Sequence, residues 1–164
     1  MKNVMEEKEQ TAVVTPEAFL AQWQGHRRLT RRVIEAFPED KLFNYSIGGM
    51  RTFAGLATEI IRMCSPGITG VLTGKWENMD SLPAPQTKEE ILRLWDEITV
   101  LINETWPKIP AQRFQEKDIA FGQYEGYIYW TLFYFMDNEI HHRAQGYVYL
   151  RSLGITPPPF WDRA

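Results

Sequence analysis

Two of the chain's three histidines, His141 and His142, stand side by side in the segment Met136-Asp137-Asn138-Glu139-Ile140-His141-His142-Arg143-Ala144-Gln145. On a helix, Phe135, Asn138, His142, Gln145 and Tyr149 share one face through i, i+3 and i+4 spacing. His141 points about 100° away, so the two rings do not converge on one metal from this helix. Glu139 and Arg143 form an i, i+4 pair, read as a surface ion pair contributing a few tenths of a kcal/mol. Glu59 is the second candidate, because it interrupts the least polar stretch of another helix, Phe53-Ala54-Gly55-Leu56-Ala57-Thr58-Glu59-Ile60-Ile61. A carboxylate buried without a partner costs several kcal/mol. Glu59 must therefore face solvent, pair with a cation such as Arg62 at i+3, or bind a metal.

The residues alone support a mixed site within helices: an imidazole nitrogen from His142, an oxygen from Glu59 and an amide oxygen from Asn138. Metal sites in bundles are built from i, i+3 or i, i+4 pairs on facing helices. One imidazole and one carboxylate are a thin set for zinc, but they leave positions for water or substrate. A hydrogen-bonded core histidine is the competing reading of His142. His26 reads as a surface or packing histidine. Cys64, at the expected end of a helix, reads as a core thiol whose position raises its pKa. There is no glycine-rich phosphate loop, no HExxH and no GxSxG elbow.

Four amphipathic helices must position these groups. Thr15-Pro16-Glu17 starts the first with an N-cap, a helix-compatible proline and an acidic first turn. Apolar residues then recur from Phe19 to Phe37, and Pro38 ends it. The second is expected over Met50 to Cys64, stopped by Ser65-Pro66-Gly67. Gly67 to Gln86 reads as a long connection. Thr87-Lys88-Glu89-Glu90 is a capping box. It opens a third helix carrying Ile91, Leu94, Trp95, Ile98, Leu101 and Ile102, closed by Pro107 and Pro110. Arg113 to Tyr124 reads as irregular with a short extended piece. The fourth runs from about Tyr127 to Leu153, with Gly154 as its stop and Pro157-Pro158-Pro159 forcing an extended tail. The result is an all-α four-helix bundle in a single domain, 1–164, with residues 1–13 expected to be flexible.

The 164 residues, 44% hydrophobic and 24% charged, exclude a disordered or collagen-like chain. A net charge of −3 argues against a nucleic-acid partner, since phosphate contacts need a basic face. A single cysteine excludes an internal disulfide and a multi-cysteine zinc site. The acidic start MKNVMEEKEQ lacks the apolar core of a signal peptide. No window reaches the roughly 20 apolar residues of a membrane span. A cytoplasmic protein without a membrane partner is the expectation.

Asp137 to Gln145, followed by Tyr149-Leu150-Arg151-Ser152-Leu153-Gly154-Ile155 and the proline run, resembles the DinB-like (damage-inducible) family of four-helix proteins. That resemblance implies an up-down-down-up bundle, often dimeric, with a divalent metal held by three histidines. One lies in helix two, and the other two form an HxxxH pair in helix four. It also implies metal-dependent thiol S-transferase or hydrolase chemistry. Here His142 matches the second histidine of the pair, Asn138 stands in place of the first, and Glu59 aligns with the helix-two histidine, an alternative alignment placing Thr58 there. Two of three imidazoles are therefore replaced. The metal set the resemblance implies is Glu59, Asn138 and His142. It would bind Ni, Zn or Mn, its oxygen ligands suiting harder ions such as Mg, Mn or Ca better than zinc. The alternative is a non-catalytic, stress-associated bundle without metal, in which Glu59 pairs with His142 and the pocket binds a small-molecule ligand or serves structure alone. A homodimer is the expected assembly.

Overall fold

The structure, a computed structural model, describes residues 13–164. The expectation of a flexible segment over residues 1–13 falls outside these, apart from the fully exposed Val13. The chain is predominantly helical. Four long helices are α1 (Pro16–Ala36), α3 (Phe53–Thr73), α4 (Lys88–Thr105) and α5 (Ile128–Ser152), with a short α2 (Glu39–Asn44) after α1. Helix α3 packs on α4 and α5, and α1 packs on the same two.

The helix starts follow their caps. Thr15 Oγ1 accepts from the Ala18 N–H at 3.2 Å, and Thr87 Oγ1 accepts from the Glu90 N–H at 3.1 Å. Glu90 completes its box one residue early, accepting from the Gln86 N–H at 2.6 Å. Helix α3 starts later than Met50, at Phe53, because Thr52 supplies the cap and Gly48 and Gly49 hold left-handed backbone before it.

The main correction concerns the end of α3. Ser65-Pro66-Gly67 does not stop it; the helix continues to Thr73, and Gly74 at φ 71° closes it. A proline inside a helix costs about 3 kcal/mol. Ile68 and Val71 beyond it are wholly buried, and each such burial contributes about 1.5–3 kcal/mol. Gly67 adds a steric reason for its place here: a Cβ on it would meet the Phe135 ring at 2.6 Å. The connection from Gly67 to Gln86 is thereby shortened to residues 74–87, with one helical turn at Met79–Ser81.

The irregular piece before α5 is a hairpin. Strand β1 (Lys117–Ala120) pairs antiparallel with β2 (Tyr124–Tyr127), Lys117 opposite Tyr127. Its turn places Phe121 at φ 53° and Gly122 at φ 69°. An aromatic residue in that region is unusual. The Phe121 ring is held by Trp76, with centroids 5.2 Å apart, and by Phe135 at 6.4 Å. The core gathers Trp23, Phe37, Phe53, Trp95, Phe135 and Tyr149. Among the described residues no helix is long and apolar enough to cross a membrane.

Candidate functional site

Residues Glu59, Asn138 and His142 come together as the sequence reading expects. Glu59 lies one and a half turns into α3, on the side facing α5. Asn138 and His142 are one turn apart on α5 and face it. Glu59 Oε1 is 3.0 Å from His142 Nε2 and accepts from Asn138 Nδ2 at 3.1 Å. On the far side of the ring, His142 Nδ1 donates to Gln145 Oε1 at 2.8 Å, while the Gln145 amide nitrogen turns to Met50 Sδ. That orientation places a proton on Nδ1 and directs Nε2 at the carboxylate. Nε2 also lies 3.3 Å from the Asn138 amide nitrogen, so Glu59 Oε1, Asn138 Nδ2 and His142 Nε2 form a closed triangle of polar contacts. The other oxygen, Oε2, is bound by the Arg51 guanidinium. Arg62, the i+3 partner expected from the sequence, instead donates to the Leu82 carbonyl at 2.9 Å and pairs with Asp80.

This wiring sets the carboxylate's acidity. Burial acts to raise the Glu59 pKa, but hydrogen bonds from Asn138, His142 and Arg51 outweigh it and bring the group down to about 2. Glu59 is thus ionised at neutral pH and is a weak base.

A cavity of about 560 Å³ opens over this cluster, between α3, α5 and the hairpin. Glu59, Arg51 and Thr58 provide its polar end, and Phe121, Trp130 and Tyr134 are among its aromatic walls. Of these lining residues only Glu59 belongs to the site expected from sequence. Arg51 escapes that reading because it precedes α3 and sits eight residues from Glu59, off any helical period. Trp130 and Tyr134, an i, i+4 pair on α5, carried a signal that was available.

A divalent ion here would have to break the direct contact between His142 Nε2 and Glu59 Oε1. It would also have to turn the Asn138 amide over, because its nitrogen faces the cluster while Oδ1 is buried with no hydrogen-bond partner among the described residues. It would then sit beside the Arg51 guanidinium. No group of three His, Cys, Asp or Glu side chains among the described residues is placed to hold a metal. As it stands, the donor set is closed on itself by direct hydrogen bonds and by the Arg51 guanidinium.

A second polar cluster lies in the core between α1, α4 and α5, and it overturns the reading of Glu139 and Arg143 as a surface pair. Glu139 is fully buried and Arg143 nearly so. Arg27 and Arg143 approach the carboxylate at 4.0 and 3.9 Å, and Thr30 donates to it at 2.6 Å. Burial raises the Glu139 pKa, opposed by Arg27, Thr30, Arg143 and Trp23. His26 is a buried packing histidine: Arg143 Nη2 lies 3.0 Å from its Nδ1, and Arg163 contacts the ring. Burial first, then Arg143 and Arg163, lower its pKa to about 4. Cys64 lies inside α3, not at a helix end, and burial pushes its thiol up to about 12.

Compared with known proteins, the chain matches the DinB family model over residues 5–163. No curated protein sequence matches it significantly. Among solved structures it is similar to a DinB-like protein from Bacillus cereus ATCC 10987, with TM-score 0.72 and 20% identity over 88% of this chain and 97% of that one. It is also similar to a DinB-like protein from Bacillus subtilis, with TM-score 0.72 and 18% identity over 89% and 99%. A third neighbour is a mutant of the mycothiol-dependent maleylpyruvate isomerase, with TM-score 0.62 and 12% identity over 80% of this chain and 60% of that chain.

Proposed function

This chain belongs to the DinB family, and from that premise we propose that it is a metal-independent member that binds a small organic molecule over the Glu59–His142 pair. The carrying observation is the setting of Glu59 at the polar end of an aromatic cavity, where His142, Asn138 and Arg51 hold both of its oxygens. A general base works best with a pKa near the operating pH. A carboxylate brought to about 2 is a poor base but a strong, fixed hydrogen-bond acceptor. His142 is too buried to reach a ligand directly and acts by orienting Glu59. The cavity size suits a drug-sized ligand, since such sites run about 300–1,000 Å³. Thiol S-transfer or hydrolysis of the metal-dependent kind would need a cation where direct hydrogen bonds now run.

The reading includes the up-down-down-up four-helix bundle. Phe37 at the end of α1 stacks on Phe53 at the start of α3, which supports antiparallel packing of those two. Phe19 against Phe133 and Thr30 against Glu139 support parallel packing of α1 and α5.

Titration with the fluorescent probe 1-anilinonaphthalene-8-sulfonate tests the cavity. Saturable binding near one probe per chain is expected, abolished by Gly55→Phe, which aims a ring into the space. Absence of binding, or binding indifferent to Gly55→Phe, contradicts the reading.

A further inference from the structure

The polar end of the cavity is an ion pair with two unused hydrogen-bonding edges. Arg51 gives Nη1 to Glu59 Oε2, and its Nε and Nη2 have no partner among the described residues. Nε and Nη2 form a fork of two parallel N–H groups, the shape that grips a carboxylate with two bonds at once. On Glu59, Oε1 is occupied by His142 and Asn138, whereas Oε2 receives Arg51 alone. A carboxylate oxygen accepts two bonds, so Oε2 keeps one site open. Because Arg51 and Glu59 touch, a free double donor and a free anionic acceptor lie side by side in the cavity wall. Among the described residues the other cation in that wall is Arg62, and it is committed elsewhere: Nε donates to the Leu82 carbonyl and Nη1 to Asp80.

Away from this pair the wall is aromatic, with Phe121, Trp130 and Tyr134 among its members. Trp130 and Tyr134, one turn apart on α5, are 55 and 60% exposed. Large rings left open beside a cavity are surface that a flat apolar group can cover.

We propose that the ligand is a zwitterion on an aromatic body, of the kind an aromatic α-amino acid presents. The proposal rests on the small-molecule reading of the cavity given above and names the class of molecule. The ligand carboxylate sits on the Nε–Nη2 fork of Arg51. The neighbouring ammonium donates to Glu59 Oε2. The ring lies against Trp130, Tyr134 and Phe121. Charge selects this head group. The Arg51–Glu59 pair is neutral as a whole, and its complement is a neutral pair in the opposite order. A carboxylate alone would meet Arg51 but also face Glu59, and an ammonium alone would meet Glu59 but also face Arg51. Each half therefore loses to repulsion part of what it gains. Asn138 and His142 act as positioning residues, since by holding Oε1 they fix where Oε2 points. A volume of about 560 Å³ admits an aromatic amino acid with space to spare.

Calorimetric titration of the full chain with L-phenylalanine tests this, beside 3-phenylpropanoate, which lacks the ammonium, and 2-phenylethylamine, which lacks the carboxylate. L-Phenylalanine should bind once per chain and displace 1-anilinonaphthalene-8-sulfonate. Each truncated compound should bind at least roughly tenfold more weakly, since each loses a charge-assisted contact. Arg51→Gln should weaken L-phenylalanine by a similar factor while leaving 2-phenylethylamine no weaker, with circular dichroism confirming that the helices remain. Arg51→Lys should not restore the affinity, because an ammonium has no fork. Equal binding of L-phenylalanine and either truncated compound overturns the proposal, and this comparison needs no variant. So does an Arg51→Gln chain that binds L-phenylalanine unchanged. Bound 1-anilinonaphthalene-8-sulfonate that is lost in Gly55→Phe but not displaced by L-phenylalanine overturns the zwitterion and leaves the cavity reading standing. Failure of the fluorescent probe itself to bind overturns the cavity reading instead.

Discussion

Glu59 and Glu139 both sit among arginines inside the same set of helices, yet their settings are opposite. Glu59 opens to a cavity and has both oxygens hydrogen-bonded, to His142 and Asn138 on one side and Arg51 on the other. Its pKa falls to about 2. Glu139 is sealed in the core; burial raises its pKa, and its Oε2 has no hydrogen-bond partner among the described residues. The difference separates two uses of a carboxylate set among helices. A group with an open side and a satisfied charge is available to a ligand. A group with no open side ties α5 to Arg27 and Thr30 of α1 and to Arg143 one turn along its own helix.

The largest effect expected from breaking this contrast is at Glu139. Glu139→Ala leaves Arg27 and Arg143 without their buried counter-charge and should cost about 3–5 kcal/mol in urea unfolding. Replacing Arg27, Glu139 and Arg143 together by apolar residues of similar volume should recover most of that loss. An equal or larger loss in the triple variant would mean that the cluster contributes net stability by itself.

The reverse manipulation at the cavity should create what the wild-type site lacks. Glu59→His with Asn138→His assembles three imidazoles with His142. Added Ni or Zn should then stabilise the variant by about 2.7 kcal/mol at a hundredfold excess over Kd, read as a rise in melting temperature absent from the wild type. Glu59→Gln alone should cost only about 1 kcal/mol, since it removes a partly exposed charge-assisted hydrogen bond.

The smallest effect is the pH response, where the two carboxylates act in opposite senses. The Glu59 pKa is depressed, so its contribution is present above its unfolded value of 4.5 and is lost as pH falls toward about 2. The Glu139 pKa is raised, so its contribution is full below 4.5 and is lost as pH rises through its folded value. Chemical denaturation at several acidic pH values should therefore show Glu59→Gln flattening the acid loss of stability and Glu139→Gln steepening it.

The sequence carried the site's composition but not its wiring. Spacing on α5 was enough to place Asn138 and His142 on one face, and the odd carboxylate in an apolar run was enough to single out Glu59. Arg51 was not legible, because its contact depends on how the loop before α3 folds back. The interior place of Glu139 was hidden for a similar reason. An i, i+4 pair with Arg143 looks like any solvated pair until Arg27 and Thr30 of α1 are brought against it. The caps Thr15 and Thr87 fixed two helix starts from local chemistry alone. Pro66 misled because local propensity was overridden by the burial of Ile68 and Val71 beyond it.

The central claim is that Glu59, Asn138 and His142 hold one another without a metal. Elemental mass spectrometry of the purified full chain, after reloading with Ni, Zn and Mn, tests it directly. Wild type should carry no more metal than Glu59→Ala or His142→Ala. Near-stoichiometric metal in wild type, lost in both variants, would contradict the account and identify the cluster as a metal centre.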